Sequence, residues 1–181
     1  MKIDFLQLAE RRQSDREYDN RKVEKGKIEK IIEAARLAPS ACNAQPWKFI
    51  VVDQPELLQE LAKAAESWTI GMNKFAKKAP LMIVIVEEKA NLSSRFGTMV
   101  KNKYFPLIDI GIAAEHICLA AADLELGSCI VGWFDEPAVK KHLQIPQAKR
   151  VPLIITLGYS SSPIRKKNRK PTDEILSWNK Y

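Results

Sequence analysis

Apolar residues recur at two periods along this chain, and the alternation between them marks out most of its elements. In "IEKIIEAARLA", Ile28, Ile31, Ile32 and Ala35 fall at i, i+3, i+4 and i+7, the helical spacing. Pro39 disfavours helical geometry just before it and predicts where that helix stops. Phe5, Leu8 and Ala9 predict a shorter helix over 3–11, and "WKFIVV" (47–52) predicts a strand. Asp53 is placed to cap the next helix, with Pro55 in its first turn and Leu57, Leu58, Leu61 and Ala65 as its apolar stripe. "PLMIVIVEE" is a solid apolar run of strand length, which predicts a strand covered on both faces. Residues 107–126 are apolar nearly all round, which predicts a helix buried in the core or against a partner chain, with Gly127 as its C-cap. "SCIVGWF" (128–134) predicts a short strand or turn. Asp135 and Pro137 then open a helix with Val139 and Leu143 inward, and "VPLIITLGY" (151–159) predicts a last buried strand. Together these predict an α+β (mixed α/β) domain, with helices flanking one central sheet, that takes in the whole of 1–181.

Composition narrows the class. The apolar share is 46% and the charged share 28%, ordinary for a folded domain. The longest solid apolar run is "LMIVIV" (81–86), far short of the ~20 residues of a membrane span. The greasier segment 105–124 is interrupted by Asp109, Glu115, His116 and Asp123, so no membrane partner is expected. "MKIDFLQLAERR" has no continuous apolar core of the kind a signal peptide needs. Three cysteines at wide spacing (42, 118 and 129) argue against a disulfide framework and for a reducing, cytoplasmic setting.

Charge then singles out one segment. The formal charge of +7 comes from 29 basic and 22 acidic residues. Residues 165–170, "RKKNRK", hold five of the basic groups, and without them 24 against 22 leaves +2. The tail 160–181 is polar and basic and ends with Trp178 and Tyr181, residues able to reach a partner subunit. Taken alone, the basic run suits a solvated or polyanion-seeking segment as well as a small-anion site. No nucleic-acid recognition motif accompanies it, so no nucleic-acid partner is expected.

Side-chain chemistry is sparse. There is no G-x-S-x-G, H-E-x-x-H, P-loop, G-x-G-x-x-G or C-x-x-C pattern. The two histidines, His116 and His142, lie on different predicted helices, which argues against a histidine-rich metal site. Cys42 has no histidine near it in sequence. With no acid–base or nucleophile set visible, any enzymatic chemistry falls to a cofactor.

One loop is richer than a connection requires. "APSACNAQPW" (38–47) carries Ser40, Cys42, Asn43 and Gln45 between a helix and a strand. It belongs to a longer pattern: "RRQSDREY" (11–18), then "VEKGKIEKIIEAARLAPSACNAQPWKFIVV", then "DIGIAAEHICLAAADLELGSCIVGWFDEPAVKKHL" (109–143), then "LGYSSSPIRKKNRKP" (157–171). In this order the segments resemble the nitroreductase family of FMN flavoproteins across nearly the whole chain. The resemblance implies a homodimer with FMN at the subunit interface, NADH or NADPH as hydride donor, and a small electron-poor acceptor such as a nitroaromatic or quinone, used in a ping-pong cycle. It implies Arg12, Lys167 and Arg169 around the FMN phosphate, and Arg16 as a cation at the ring edge that gains negative charge on reduction. Gln13 and Ser14 would hydrogen-bond the ring edge and the ribityl chain, Gln13 standing where the family often has arginine or histidine. Pro39, Ser40, Asn43 and Gln45 would reach the partner's flavin, and Asn73, Val131, Gly132 and Trp133 would lie near ring or substrate. Two further readings stay open: a specialised flavoenzyme of the same fold acting by oxidation or dehalogenation, and a flavin- or nucleic-acid-binding protein without turnover. Arg165 and Lys166 are expected to face solvent.

Overall fold

The computed structural model describes residues 4–66, 71–89 and 103–181. Helices α1 (Phe5–Arg11) and α2 (Lys25–Arg36) precede strand β1 (Trp47–Val52), helix α3 (Pro55–Ala65) and strand β2 (Leu81–Glu87). Helix α4 (Phe105–Asp123), β3 (Gly127–Val131), α5 (Glu136–His142), β4 (Arg150–Gly158) and a single turn α6 (Thr172–Ile175) follow. Ile3, in the predicted first helix, lies outside the described residues. The strands form one antiparallel sheet in the order β1-β2-β4-β3.

The apolar run of β2 is used on both faces, as its lack of alternation predicts. Met82, Val84 and Val86 join Ile154 of β4 beneath α3 and α5. Leu81, Ile83 and Ile85 join Ile155 and Leu157 beneath α2 and α4. Helix α4 is long and apolar enough to cross a membrane by length and composition. Here it is a core helix, with Ile110, Ala113, Ala114, Ile117 and Ala121 fully buried.

Two caps differ from expectation. Gln54, not Asp53, is the N-cap of α3, and its side chain caps nothing, while Pro55 takes the first turn as predicted. Proline's preset φ supplies what a capping side chain would otherwise contribute. Helix α4 ends not at Gly127 but at Leu124, with Glu125 left-handed at φ 64°. Leu126 N–H donates to Ala121 O at 2.8 Å and Glu125 N–H to Ala122 O at 3.2 Å, a Schellman closure. Gly127 is instead needed in β3. A Cβ there would lie 2.7 Å from Ser160 Cβ and 2.9 Å from Asp15 Cβ, so only glycine admits both neighbours.

Burial also sets an alkaline limit. The Cys118 thiol is pushed up from 9.0 to about 11, mainly by burial. The folded chain therefore keeps a proton that the unfolded chain releases near pH 9. Its contribution is complete below that pH and is lost as pH rises toward 11. Tyr18, held neutral mainly by burial, adds to the slope above pH 10. The urea midpoint should fall between pH 9 and 11, and less steeply in Cys118→Ala. Equal slopes in the two proteins would remove Cys118 from the account.

Candidate active site

Arg12 closes α1, and the chain from 13 to 19 then runs extended, pinned on two sides. Ser14 bridges Ser128 of β3, and Tyr18 bridges Ser160 just past β4. Asp15 N–H donates to Ser128 O at 2.9 Å, and Asp19 N–H to Tyr159 O at 3.0 Å. The buried Tyr18 hydroxyl donates to Asp15 O and lies 2.8 Å from Thr156 Oγ1. Residues 12–16 thus form one fixed wall.

The basic tail supplies the facing wall. Arg165 Nη2 donates to Ser14 O at 2.6 Å, and its backbone N–H donates to Gln13 Oε1 at 3.1 Å. Lys167 Nζ donates to the Arg12 carbonyl. Between the walls lies a pocket of about 360 Å³. Six of its lining residues are cationic (Arg12, Arg16, Arg165, Lys166, Lys167 and Arg169) and none is acidic. Burial pushes the Lys167 ammonium down from its usual value, and the charges of Arg12, Arg169 and Arg165 push it further. Arg12 Nε is buried 3.3 Å from Glu115 Oε1 yet makes no hydrogen bond. Crowded like charges with no acid among them fit a phosphorylated ligand.

Arg12, Gln13, Ser14, Arg16, Lys167 and Arg169 are therefore brought together. Arg165 and Lys166 are exposed, as expected, but both also line the pocket, and Arg165 is hydrogen-bonded across it. Its partners lie about 150 positions away, so no local pattern marks it. Asp15 is a second residue that the spacing of motifs did not reveal; it is buried and accepts from Ser160 Oγ at 2.6 Å.

The other predicted residues form two separate groups outside this pocket. The first is the loop after α2. Cys42, Asn43 and Gln45 all have positive φ, between 45° and 52°, a costly arrangement for non-glycine residues. Hydrogen bonds hold it. Gln45 N–H donates to Ser40 Oγ at 3.0 Å and Gln45 Nε2 to Asn43 Oδ1 at 3.0 Å. Ala41 N–H donates to Asp109 Oδ1 of α4 at 3.1 Å. Pro39, Asn43 and Gln45 face solvent, and Ser40 is half-buried. The second group surrounds the end of β3. Asn73, left-handed at φ 62°, donates from Nδ2 to Trp133 O at 3.0 Å and to Ala65 O at 3.2 Å. The Trp133 side chain is 64% exposed. Val131 packs into the core. A Cβ on Gly132 would meet only Leu153 Cδ2, at an ordinary 3.7 Å, so the chain's own packing does not demand glycine there.

A four-stranded antiparallel sheet between two helical layers, with a pocket lined by cations, defines an α+β protein with a site suited to an anionic ligand. The nitroreductase family model matches residues 9–71 and 66–159, and the chain belongs to that family, a family of oxidoreductases. A solved FMN-dependent nitroreductase from Clostridium difficile R20291 superposes with a TM-score of 0.77 at 32% identity, over 98% of this chain and 100% of that one. An oxygen-insensitive NADPH nitroreductase of Helicobacter acinonychis is 30% identical over 182 residues, 83% of this chain and 84% of the relative. An iodotyrosine deiodinase of Haliscomenobacter hydrossis is 28% identical over 179 residues, 86% of this chain and 79% of the relative.

Proposed function

We propose that this protein is an FMN-dependent NAD(P)H oxidoreductase that reduces nitroaromatic, quinone or similar electron-poor acceptors by a ping-pong cycle. The observation that carries this reading is the pocket lined by six cations and no acid, with the Lys167 ammonium crowded by its neighbours' charges. Lys167, Arg169 and Arg12 would hold the FMN phosphate, and Ser14 would serve the ribityl chain. When bound, FMN supplies two-electron hydride chemistry that no side-chain set in this chain provides. The protein's part is to fix position and charge. Arg16, which lines the pocket, would present a cation toward the ring edge; its charge is also felt at Cys129, where it opposes the upward push of burial on the thiol.

The visible spectrum of the purified or FMN-loaded protein tests this directly. A flavin band that bleaches anaerobically with NADH or NADPH is expected. A loaded protein that neither coenzyme bleaches would be a passive binder, and one that takes up no FMN would end the proposal. A specialised dehalogenating reading is favoured by one observation, the similarity to the iodotyrosine deiodinase. Turnover of halophenols, with none of nitroaromatics, would select it.

Arg16→Ala should lower the FMN midpoint potential, because on this reading the cation would face the position where negative charge develops. Some 30 mV corresponds to about 1.4 kcal/mol for a two-electron couple, a size suited to a partly buried charge contact. An unchanged potential with FMN retained would place Arg16 elsewhere.

The functional unit on this reading is a homodimer in a reducing cytoplasm, with the 39–45 loop reaching the partner's flavin. Support comes from exposed Leu107 and Ile108 on α4 and exposed Leu176 and Trp178 in the tail, apolar surface of the kind an obligate interface covers. At micromolar concentration the mass should be twice the 20.5 kDa chain. A monomer that still holds FMN would defeat both the dimer and the loop's role in the second site.

A further inference from the structure

We infer that Gln13 is a positioning residue, a latch that docks the basic tail and so assembles the phosphate pocket, with Asp15 and Ser160 as its anchor. The inference rests on the FMN reading above and assigns Gln13 a role other than contact with the flavin ring. Gln13 is 8% exposed, and its amide is engaged at both ends. Nε2 donates to Asp15 Oδ1 at 3.0 Å and to Pro163 O at 3.1 Å. Oε1 accepts from Arg165 N–H at 3.1 Å and from Arg165 Nε at 3.4 Å. A carboxylate and a carbonyl can only accept and a guanidinium only donates, so the network itself fixes the amide's orientation. Only an amide meets both demands at this length. Glutamate lacks the donor, and arginine or lysine lacks the acceptor.

Asp15 makes the latch rigid. It is 5% exposed, and Ser160 Oγ donates to its Oδ1 at 2.6 Å beside the Gln13 bond. Its backbone is held at both ends, by Ser128 O and by the Tyr18 hydroxyl. The need for such a latch follows from charge. The tail brings Arg165, Lys167 and Arg169 against Arg12 and Arg16. Before a phosphate arrives those cations repel, and the tail would otherwise lift away. The chain Ser160–Asp15–Gln13–Arg165 holds it down by hydrogen bonds and one buried negative charge, which pre-organises the site.

The test titrates FMN and riboflavin separately into flavin-free wild type and Gln13→Met, a substitution close in size that removes all four contacts. Hydrogen exchange of the 160–169 amides is followed in the same flavin-free proteins. Gln13→Met is expected to weaken FMN about tenfold or more, the effect of one charge-assisted bond. Riboflavin affinity should change less than about twofold, the ordinary scatter of a remote substitution, and exchange in the tail should accelerate. Equal loss of both flavins would make Gln13 a ring contact and overturn the latch. Unchanged FMN affinity, or a tail that exchanges at the wild-type rate, would overturn it too. Should Gln13→Met fail to fold, Ser160→Ala loosens the same anchor from a less buried position and should show the same discrimination between the flavins. Wild type that binds neither flavin overturns the FMN reading and this inference together, whereas failure of the discrimination alone leaves the FMN reading standing.

Discussion

The double variant Lys167→Ala/Arg169→Ala is expected to purify without FMN and to bind it at least about a hundredfold more weakly than wild type. Each charge-assisted bond to a single phosphate is worth about 1.5–3 kcal/mol, and two are lost together. The structure sharpens this expectation. Burial and the charges of Arg12, Arg169 and Arg165 already press the Lys167 ammonium toward its neutral form. A phosphate dianion relieves that pressure, so the contact strengthens where the cations are most crowded. Riboflavin, which lacks the phosphate, should bind the double variant as it binds wild type. Lys170, exposed and outside the pocket, serves as control, and Lys170→Ala should leave FMN binding intact. A polyanion-binding surface would behave otherwise: every cation of 165–170 would count about equally, through a loss of salt-dependent binding. Equal FMN affinity in wild type and the double variant would rule out the phosphate clamp.

Gly158→Ala should be the most destabilising single-methyl insertion among the described glycines. Its Cβ would lie 2.6 Å from Pro80 Cδ, 2.8 Å from Pro80 Cγ and 3.0 Å from Tyr18 Cδ1. Neither neighbour yields easily. Pro80 is a closed ring just before β2, and Tyr18 is buried with its hydroxyl bound to Asp15 O. Overpacking of this kind costs about 3 kcal/mol or more where the lining cannot relax. Gly26→Ala provides the contrast, since nothing lies within 4 Å of a Cβ there and position 26 is within α2. That change should stabilise by up to about 1 kcal/mol through helix propensity. Urea midpoints of the two variants should therefore move in opposite directions; coincident midpoints would show that the β4 end tolerates a side chain.

Much of this architecture is legible in the sequence because burial writes itself into periodicity. The solid run of β2 requires cover on both faces and has it. The spacing in α2 placed Ile31 and Ala35 in the core, and Asp135 caps α5 by accepting from Ala138 N–H, as its position predicts. The failures have a common physical cause. Local chemistry alone marks Asp53 and Gly127 as caps, yet proline geometry governs one site and close approach of Asp15 and Ser160 governs the other. Arg165 is exposed as a run of like charges suggests, but such a run looks the same whether or not a distant amide grips one member of it. For the pocket, the family pattern named most of the cations. The hydrogen bonds that hold them in place join residues about 150 positions apart, and no window along the chain contains both partners.

The strand order carries a consequence for how the protein is made. Among the described residues β4 is the only strand that pairs with β3, and it also joins β3 to β2. A chain emerging from the ribosome therefore has no complete sheet until residue 158 is free. The pocket comes later still, since half of its wall is residues 165–169. On the proposed reading, cofactor capture therefore follows completion of the sheet. A released chain truncated between 159 and 164 should contain the whole described sheet while being unable to retain FMN.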